Sequence, residues 1–154
     1  MESCTVYVQG KQFETQIGRH RIITDQPDTE GGVVLGPTPP ELLLASLGSC
    51  AAHYAAEYLR LRGLPFEEVH VHVKAEKPGP NSGLSDFQIV VECAPLDDRN
   101  REGLIRAVRA CLIHKTLRSA PEVKIEIGEA NHSLEIRGCT SVAQQTFSTV
   151  ATRE

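Results

Sequence analysis

The sequence predicts an α+β fold built on antiparallel sheet. Candidate strands come in pairs or threes instead of alternating singly with helices, which argues against a doubly wound parallel sheet. Along the 154 residues the order reads β-β-β-α-β-β-α-β-β. Only two segments are long enough and periodic enough to be substantial helices.

Each element has a local reason. Thr5–Gln9, Gln12–Ile17 and Arg21–Thr24 are short β-rich runs, with Gly10 and Gly18 between them, and predict an antiparallel meander. Asp25 to Pro37 is rich in turn formers. Thr38-Pro39-Pro40-Glu41 predicts a helix start, with Thr38 as cap, proline in the first turn and Glu41 closing a capping box. That helix runs to about Arg62, where Gly63-Leu64-Pro65 stops it. Its first half is apolar or small on nearly every side, from Leu42 to Ala52, which predicts a central position.

Glu67–Glu76 alternates strictly, with Val69, Val71 and Val73 on one face and His70, His72 and Lys74 on the other. Leu84–Cys93 predicts its partner strand. Residues 97–118 predict one second helix, with Asp97 and Asp98 at its positive end and Leu104, Val108, Cys111 and Leu112 on its inner stripe. Val123–Ile127 and Ser133–Arg137 predict a closing hairpin. Residues 1–139 are read as a single domain, and the polar stretch 140–154 as a mobile C-terminal tail.

The bulk numbers narrow the function. A hydrophobic fraction of 40% and a charged fraction of 23% fit an ordinary globular chain. A net charge of −4 argues against a nucleic-acid or anionic-membrane partner. No apolar run approaches the ~20 residues needed to span a bilayer. The acidic start lacks the apolar core of a signal peptide, so a cytoplasmic location is expected. Five cysteines is an odd count for a disulfide framework in a reducing compartment, so the thiols are expected to be buried, metal-bound or reactive.

Two of those thiols stand out. Cys50 and Cys111 lie on different predicted helices, and each is followed at i+3 by a histidine, His53 and His114. At that spacing a thiol shares a helix face with the imidazole. A neighbouring cation lowers a thiol's pKa and makes it nucleophilic, and a second thiol within reach traps the oxidised first one as a disulfide. Cys50–His53–Glu57 has the order of nucleophile, base and orienter. Spacing alone leaves two other readings open: cysteines that are simply buried, and a Cys₂His₂ zinc site shared by two helices. Cys4, Cys93 and Cys139 read as packing or incidental, and His70 and His72 as a solvated face.

Three stretches together resemble the OsmC/Ohr family, in its OsmC-like branch. They are Gly36-Pro-Thr-Pro-Pro-Glu-Leu-Leu-Leu-Ala-Ser-Leu-Gly-Ser-Cys50, Cys111-Leu-Ile-His-Lys-Thr-Leu117 with the Val/Ile stretch after it, and Thr24-Asp25-Gln-Pro27 followed by Gly31-Gly32. The resemblance implies an OsmC-like fold, in which antiparallel sheets wrap two long central helices and two chains form an intertwined homodimer. It also implies thiol-dependent reduction of organic hydroperoxides, with Cys50 as peroxidatic and Cys111 as resolving cysteine. A small dithiol or a dithiol protein would be the reductant, and neither cofactor nor metal would be required.

The chain departs from the family pattern in three places. The glutamate ten residues before the first cysteine is Pro40 here, so Glu41 next to it becomes the candidate. The N-terminal arginine that pairs with that glutamate has no clear counterpart. The helix-breaking proline after the second cysteine is Leu112, which predicts an unbroken helix, a less acidic Cys111 and a slower resolving step. The set of candidate catalytic residues is therefore Cys50, Cys111, Glu41, His53 and His114. The alternative is a dimeric OsmC-like binding module that holds a small apolar or electrophilic ligand with little or no turnover.

Overall fold

The computed structural model describes residues 1–26 and 34–128. They group into two compact units, one built on Met1–Pro39 and the other on Pro40–Lys124. The second strand of the predicted closing hairpin, Ser133–Arg137, and the stretch 140–154 lie outside the described residues.

The first unit carries a three-stranded antiparallel sheet of β1 (Cys4–Gln9), β2 (Gln12–Ile17) and β3 (His20–Thr24), in the order β1-β2-β3. The predicted meander agrees to within a residue at each boundary. Both hairpins turn on two residues, and the first of each is a glycine with positive φ: +52° at Gly10 and +58° at Gly18. A positive φ at the first central position alone matches the type II′ hairpin turn, which glycine adopts without strain. Beyond β3 the buried Asp25 carboxylate gathers three donors: Gln12 Nε2 at 3.0 Å, the Gln26 amide at 2.7 Å and the Leu35 amide at 3.2 Å. The Leu35 amide is the largest of the influences that hold this carboxyl below its usual range.

The second unit begins with α1 (Pro39–Leu61), which ends as its sequence predicts. Gly63 has φ +66°, its amide donates to Arg60 O at 3.1 Å, and the Leu64 amide donates to Leu59 O at 3.0 Å. These are the two bonds of a Schellman cap. The buried face of α1 is the row Leu47, Ala51, Ala55 and Leu59. Leu42, Leu43 and Leu44 are only half-buried in the single chain, short of the central position their composition predicts.

β4 (His70–Glu76) and β5 (Ser85–Glu92) form an antiparallel hairpin with Val71 opposite Val91 and Val73 opposite Ile89. Their inward residues alternate with exposed ones; His70 and His72 lie on the exposed face, as predicted. One face of the hairpin meets α1, where Gly48 lets Val73 approach.

The remaining region corrects the prediction of one helix over 97–118. There are two, α2 (Asp98–Arg109) and α3 (Leu112–Ser119), separated at Ala110 and Cys111. Asp97 caps α2, its side chain accepting the Asn100 amide at 2.7 Å. Cys111 leaves helical geometry (φ −50°, ψ 134°) and caps α3 with its sulfur. The described residues therefore hold three helices, of which α1 is the long one. The predicted strand at Val123–Ile127 is also absent: residues 121–128 have no regular structure, and Val123, Ile125 and Ile127 stand exposed. A strand needs a ladder partner, and the described residues offer this stretch none.

The core of the second unit joins Ala51, Ala55 and Leu59 of α1 to Leu104 and Val108 of α2, with Val71, Ile89 and Val91 packed against them. The α1–α2 approach depends on Gly103. A methyl group there would run into the Tyr58 ring, whose hydroxyl is engaged with Asn100 Oδ1 at 3.2 Å. Overpacking of this kind costs about 1–3 kcal/mol, which exceeds the gain of about 1 kcal/mol when alanine replaces glycine in a helix. Gly103→Ala should therefore lower stability by up to about 2 kcal/mol in urea denaturation. Adding Tyr58→Phe should recover only part of the loss, because ring carbons crowd the site as well as the hydroxyl. An unchanged midpoint in Gly103→Ala would refute the packing argument.

Candidate active site

The break between α2 and α3 has a chemical consequence. In a continuous helix the amides of Leu112 and Ile113 would bond back to Val108 O and Arg109 O. Here the Val108 carbonyl is taken by the Cys111 amide at 3.0 Å. The Leu112 and Ile113 amides, freed at the start of α3, act instead on the Cys50 thiol of α1 and lower its pKa, and the Ile113 amide acts on Cys111 in the same sense. Cys111, at the break, is hydrogen-bonded to Cys50 through its own side chain. The two thiols singled out by the sequence thus meet at the positive end of α3.

Their electrostatics differ in sign. Burial alone pushes the Cys50 thiol up. The Cys111 S–H bond and the two α3 amides outweigh that effect and hold Cys50 below the ordinary thiol value. Cys111 is pushed above it, first by burial and then by the hydrogen bond to Cys50 and the Cys50 charge; the amides of His114 and Ile113 oppose the shift. The sulfur of Cys111 accepts the His114 amide at 3.5 Å. Cys50 is therefore the thiol that ionises first, and Cys111 the protonated partner that donates to it. Exposure divides the roles in the same way, since Cys50 is half-buried while Cys111 is fully buried.

The other candidates are arranged differently from the sequence expectation. The His53 ring is exposed and packs edge-on to Tyr54 at 5.6 Å between centroids. Glu57 is held by Arg60 through two bonds, at 2.7 and 2.9 Å, and the charge of His53 acts on it more weakly than the arginine does. The His114 ring bonds to the Arg109 carbonyl at 3.1 Å. Glu41 occupies the first turn of α1, nine residues before Cys50. Nine residues are two and a half turns, or about 13–14 Å of rise, so Glu41 sits on the opposite face of the helix from the thiol. Among the described residues no three His, Cys, Asp or Glu side chains are placed to hold a metal ion, so the four residues of the zinc alternative are not assembled as ligands. Cys50, Cys93 and Cys111 are free thiols, whereas Cys4, expected to be incidental, is disulfide-bonded.

The functional groups that the sequence did not announce are the two α3 amides. Nothing in Arg109-Ala110-Cys111-Leu112 carries a glycine or proline signal for a break. An open groove of about 910 Å³ lies between β5 and α2–α3, and neither Cys50 nor Cys111 lines it. Its walls include Leu47, Val108 and His114, each one helical turn or less from Cys50 or Cys111, and Arg101, Arg109 and Arg118 also line it. Among the described residues no helix is long and apolar enough to cross a membrane.

Comparison with known proteins agrees with this architecture. The family model "OsmC-like protein" matches residues 29–126. No curated protein matches the chain. An OsmC-like protein from Mycoplasma pneumoniae superposes with a TM-score of 0.64 at 18% identity, over 76% of this chain and 86% of that one. The organic hydroperoxide resistance protein OsmC of Legionella pneumophila superposes with a TM-score of 0.54 at 16% identity, over 77% and 90%. The organic hydroperoxide resistance protein OhrB of Bacillus subtilis superposes with a TM-score of 0.54 at 18% identity, over 77% and 91%. At these identities the likeness concerns the fold, α+β with antiparallel sheet and three helices, and the matched family model covers most of the chain, including both cysteines and the helices that carry them. This protein belongs to the OsmC-like family.

Proposed function

We propose that this protein is a two-cysteine thiol peroxidase that reduces organic hydroperoxides. The observation that carries the reading is the Cys50–Cys111 pair, in which one thiol is acidified by two α3 amides and by its buried neighbour. A thiolate in this setting is the reactive form for attack on an O–O bond. The structural neighbours named organic hydroperoxide resistance proteins support the substrate class.

In the first step the Cys50 thiolate attacks the terminal peroxide oxygen. An S–O bond forms, the O–O bond breaks, and the alkoxide leaves and takes a proton as the alcohol. Cys50 is left as a sulfenic acid. Cys111 then gives up its proton and attacks the Cys50 sulfur. An S–S bond forms, the S–O bond breaks, and hydroxide takes the proton to leave as water. A small dithiol or a dithiol protein restores both thiols by exchange, with its own oxidation to a disulfide balancing the two electrons. The cycle calls on no metal or organic cofactor. The apolar wall contributed by Leu47, Leu104 and Val108 favours a bulky organic peroxide over hydrogen peroxide.

The working unit in this reading is a homodimer in the cytoplasm. Leu42, Leu43 and Leu44 are incompletely covered in the single chain, and Ile105, Leu112 and Leu117 are exposed on α2 and α3. An apolar surface of this kind is an interface in search of a partner, and a second copy completes it. Sedimentation at micromolar concentration should give about twice the 16.8 kDa chain mass; a monomer would refute the assembly.

Cumene hydroperoxide added to the reduced protein should consume Cys50 and Cys111 together. Cys111→Ser should stop at a Cys50 sulfenic acid that dimedone traps, and Cys50→Ser should leave Cys111 reduced. Survival of both thiols in the unaltered protein would sink the peroxidase reading.

The ionisation order has its own test. Because the Cys50 pKa is lowered, alkylation of Cys50 by iodoacetamide should stay fast below the usual thiol range and fall only once the pH drops through that lowered value. Cys111 should react only at higher pH. Cys111→Ala removes the side chain that most lowers the Cys50 pKa and should move the Cys50 profile upward. A profile for Cys50 at or above the ordinary value would contradict the geometry.

A further inference from the structure

Strict alternation gives the β4–β5 hairpin two unlike faces. Its apolar side meets α1, where Val73 approaches Gly48. The other side presents His70, His72, Lys74 and Glu76 from β4, and Asp86, Gln88, Val90 and Glu92 from β5, all of them exposed. Lys74 is outnumbered there by Glu76, Asp86 and Glu92, so the face attracts cations. The register brings three of these side chains together. His70 lies directly opposite Glu92, and His72 is the next residue of β4 on the same face. Directly opposed residues bring their Cβ atoms to about 4.5–5.5 Å, and residues two apart on one strand are separated by about 6.5–7 Å. Glu92 reaches its diagonal neighbour as well: Oε2 lies 3.5 Å from His72 Nε2. One carboxylate thus stands beside two imidazoles.

We propose that His70, His72 and Glu92 form a surface chelate for a divalent transition-metal ion, and for zinc in particular. Two imidazole nitrogens and one carboxylate oxygen are donors that zinc accepts, at about 2.0–2.2 Å. Magnesium and calcium take oxygen ligands instead and would find only one here. As the side chains stand, no three donors enclose a single point among the described residues. The chelate therefore closes by rotation of exposed side chains, a motion of picoseconds to nanoseconds, and water fills the position left open. An ion held in this way ties β4 to β5 on the face turned away from α1. The site is independent of the peroxidase reading and of the thiols.

Zinc chloride titrated into the full chain should shift the ring C–H proton signals of His70 and His72 together, and EDTA should reverse the shifts. Magnesium chloride should move neither ring. Because the rings coordinate only when neutral, zinc affinity should fall as the pH is lowered. In calorimetry, His70→Gln and His72→Gln should each weaken zinc binding by at least about tenfold, since loss of an outer-shell partner alone costs about 10–100-fold. Glu92→Gln should weaken it less, because an amide oxygen still coordinates while the charge is lost. His20→Gln, in the other sheet, should leave it unchanged. Zinc that moves neither ring, or that binds both histidine variants as tightly as the unaltered protein, would overturn the proposal. Uptake by the free thiols Cys50, Cys93 and Cys111 alone would give that result. Should a variant not fold, the ring shifts of the unaltered protein decide.

Discussion

The chemistry of this protein depends on one diverted set of hydrogen bonds. Two backbone amides that a continuous helix would have spent on its own carbonyls are freed at the start of α3 and lower the pKa of a thiol from another helix. An amide in a helix contributes little net free energy, because water would otherwise serve it. The same amide aimed at a half-buried thiol acts where the dielectric is low, and there it selects the charged form. The break at Ala110–Cys111 thus converts ordinary backbone into an anion site without a cationic side chain or a metal.

That arrangement also explains the asymmetry of the thiol pair. Both sulfurs are desolvated, and desolvation raises both pKa values. Cys50 receives two amides and an S–H donor from its partner. Cys111 receives amides as well, yet it faces the negative charge that forms on Cys50. Two interacting thiols cannot ionise independently, so the first proton to leave comes from the better-served sulfur and the second is held back. The accessible thiol is the acidic one, and the buried thiol keeps a proton to donate. An attacking and a resolving sulfur need this division, since a fully ionised pair would repel and a fully protonated pair would be inert.

Much of this was legible in the sequence, and what was not has a physical reason. The three-stranded meander followed from its glycine turns, α1 from its proline start and its Gly63 stop, and the β4–β5 hairpin from strict alternation. Each of these signals is local. The two cysteines were also legible as candidates from their matched spacing to histidine, whereas the α3 amides that lower Cys50 were not. His53 lies exposed beside Tyr54, and Glu57 is spent on Arg60. The helix break was illegible because residues 109–112 have ordinary helix-forming character, and what breaks them is tertiary. Cys50 on a distant turn competes for the amides, and His114 satisfies the carbonyl they abandon. Val123–Ile127 failed for the opposite reason: its alternation is a true strand signal, but a strand is a property of two segments and the described residues hold only one.

The absence of proline after Cys111 sharpens the physical point. Proline breaks a helix by removing a donor and clashing with the preceding turn. Here Leu112 has a donor and no clash, so the break must be held by competing bonds instead of by covalent geometry. A covalent break survives any change in its surroundings, whereas a break without one depends on what serves its freed groups, here the Cys50 thiol beside the Leu112 and Ile113 amides. When Cys50 is a thiolate its pull on the Leu112 and Ile113 amides is charge-assisted and strong; when its sulfur is tied into a disulfide the charge is gone and the pull weakens. The free energy that holds α2 and α3 apart is therefore greatest in the reduced, reactive state, which is the state in which an open break serves the chemistry.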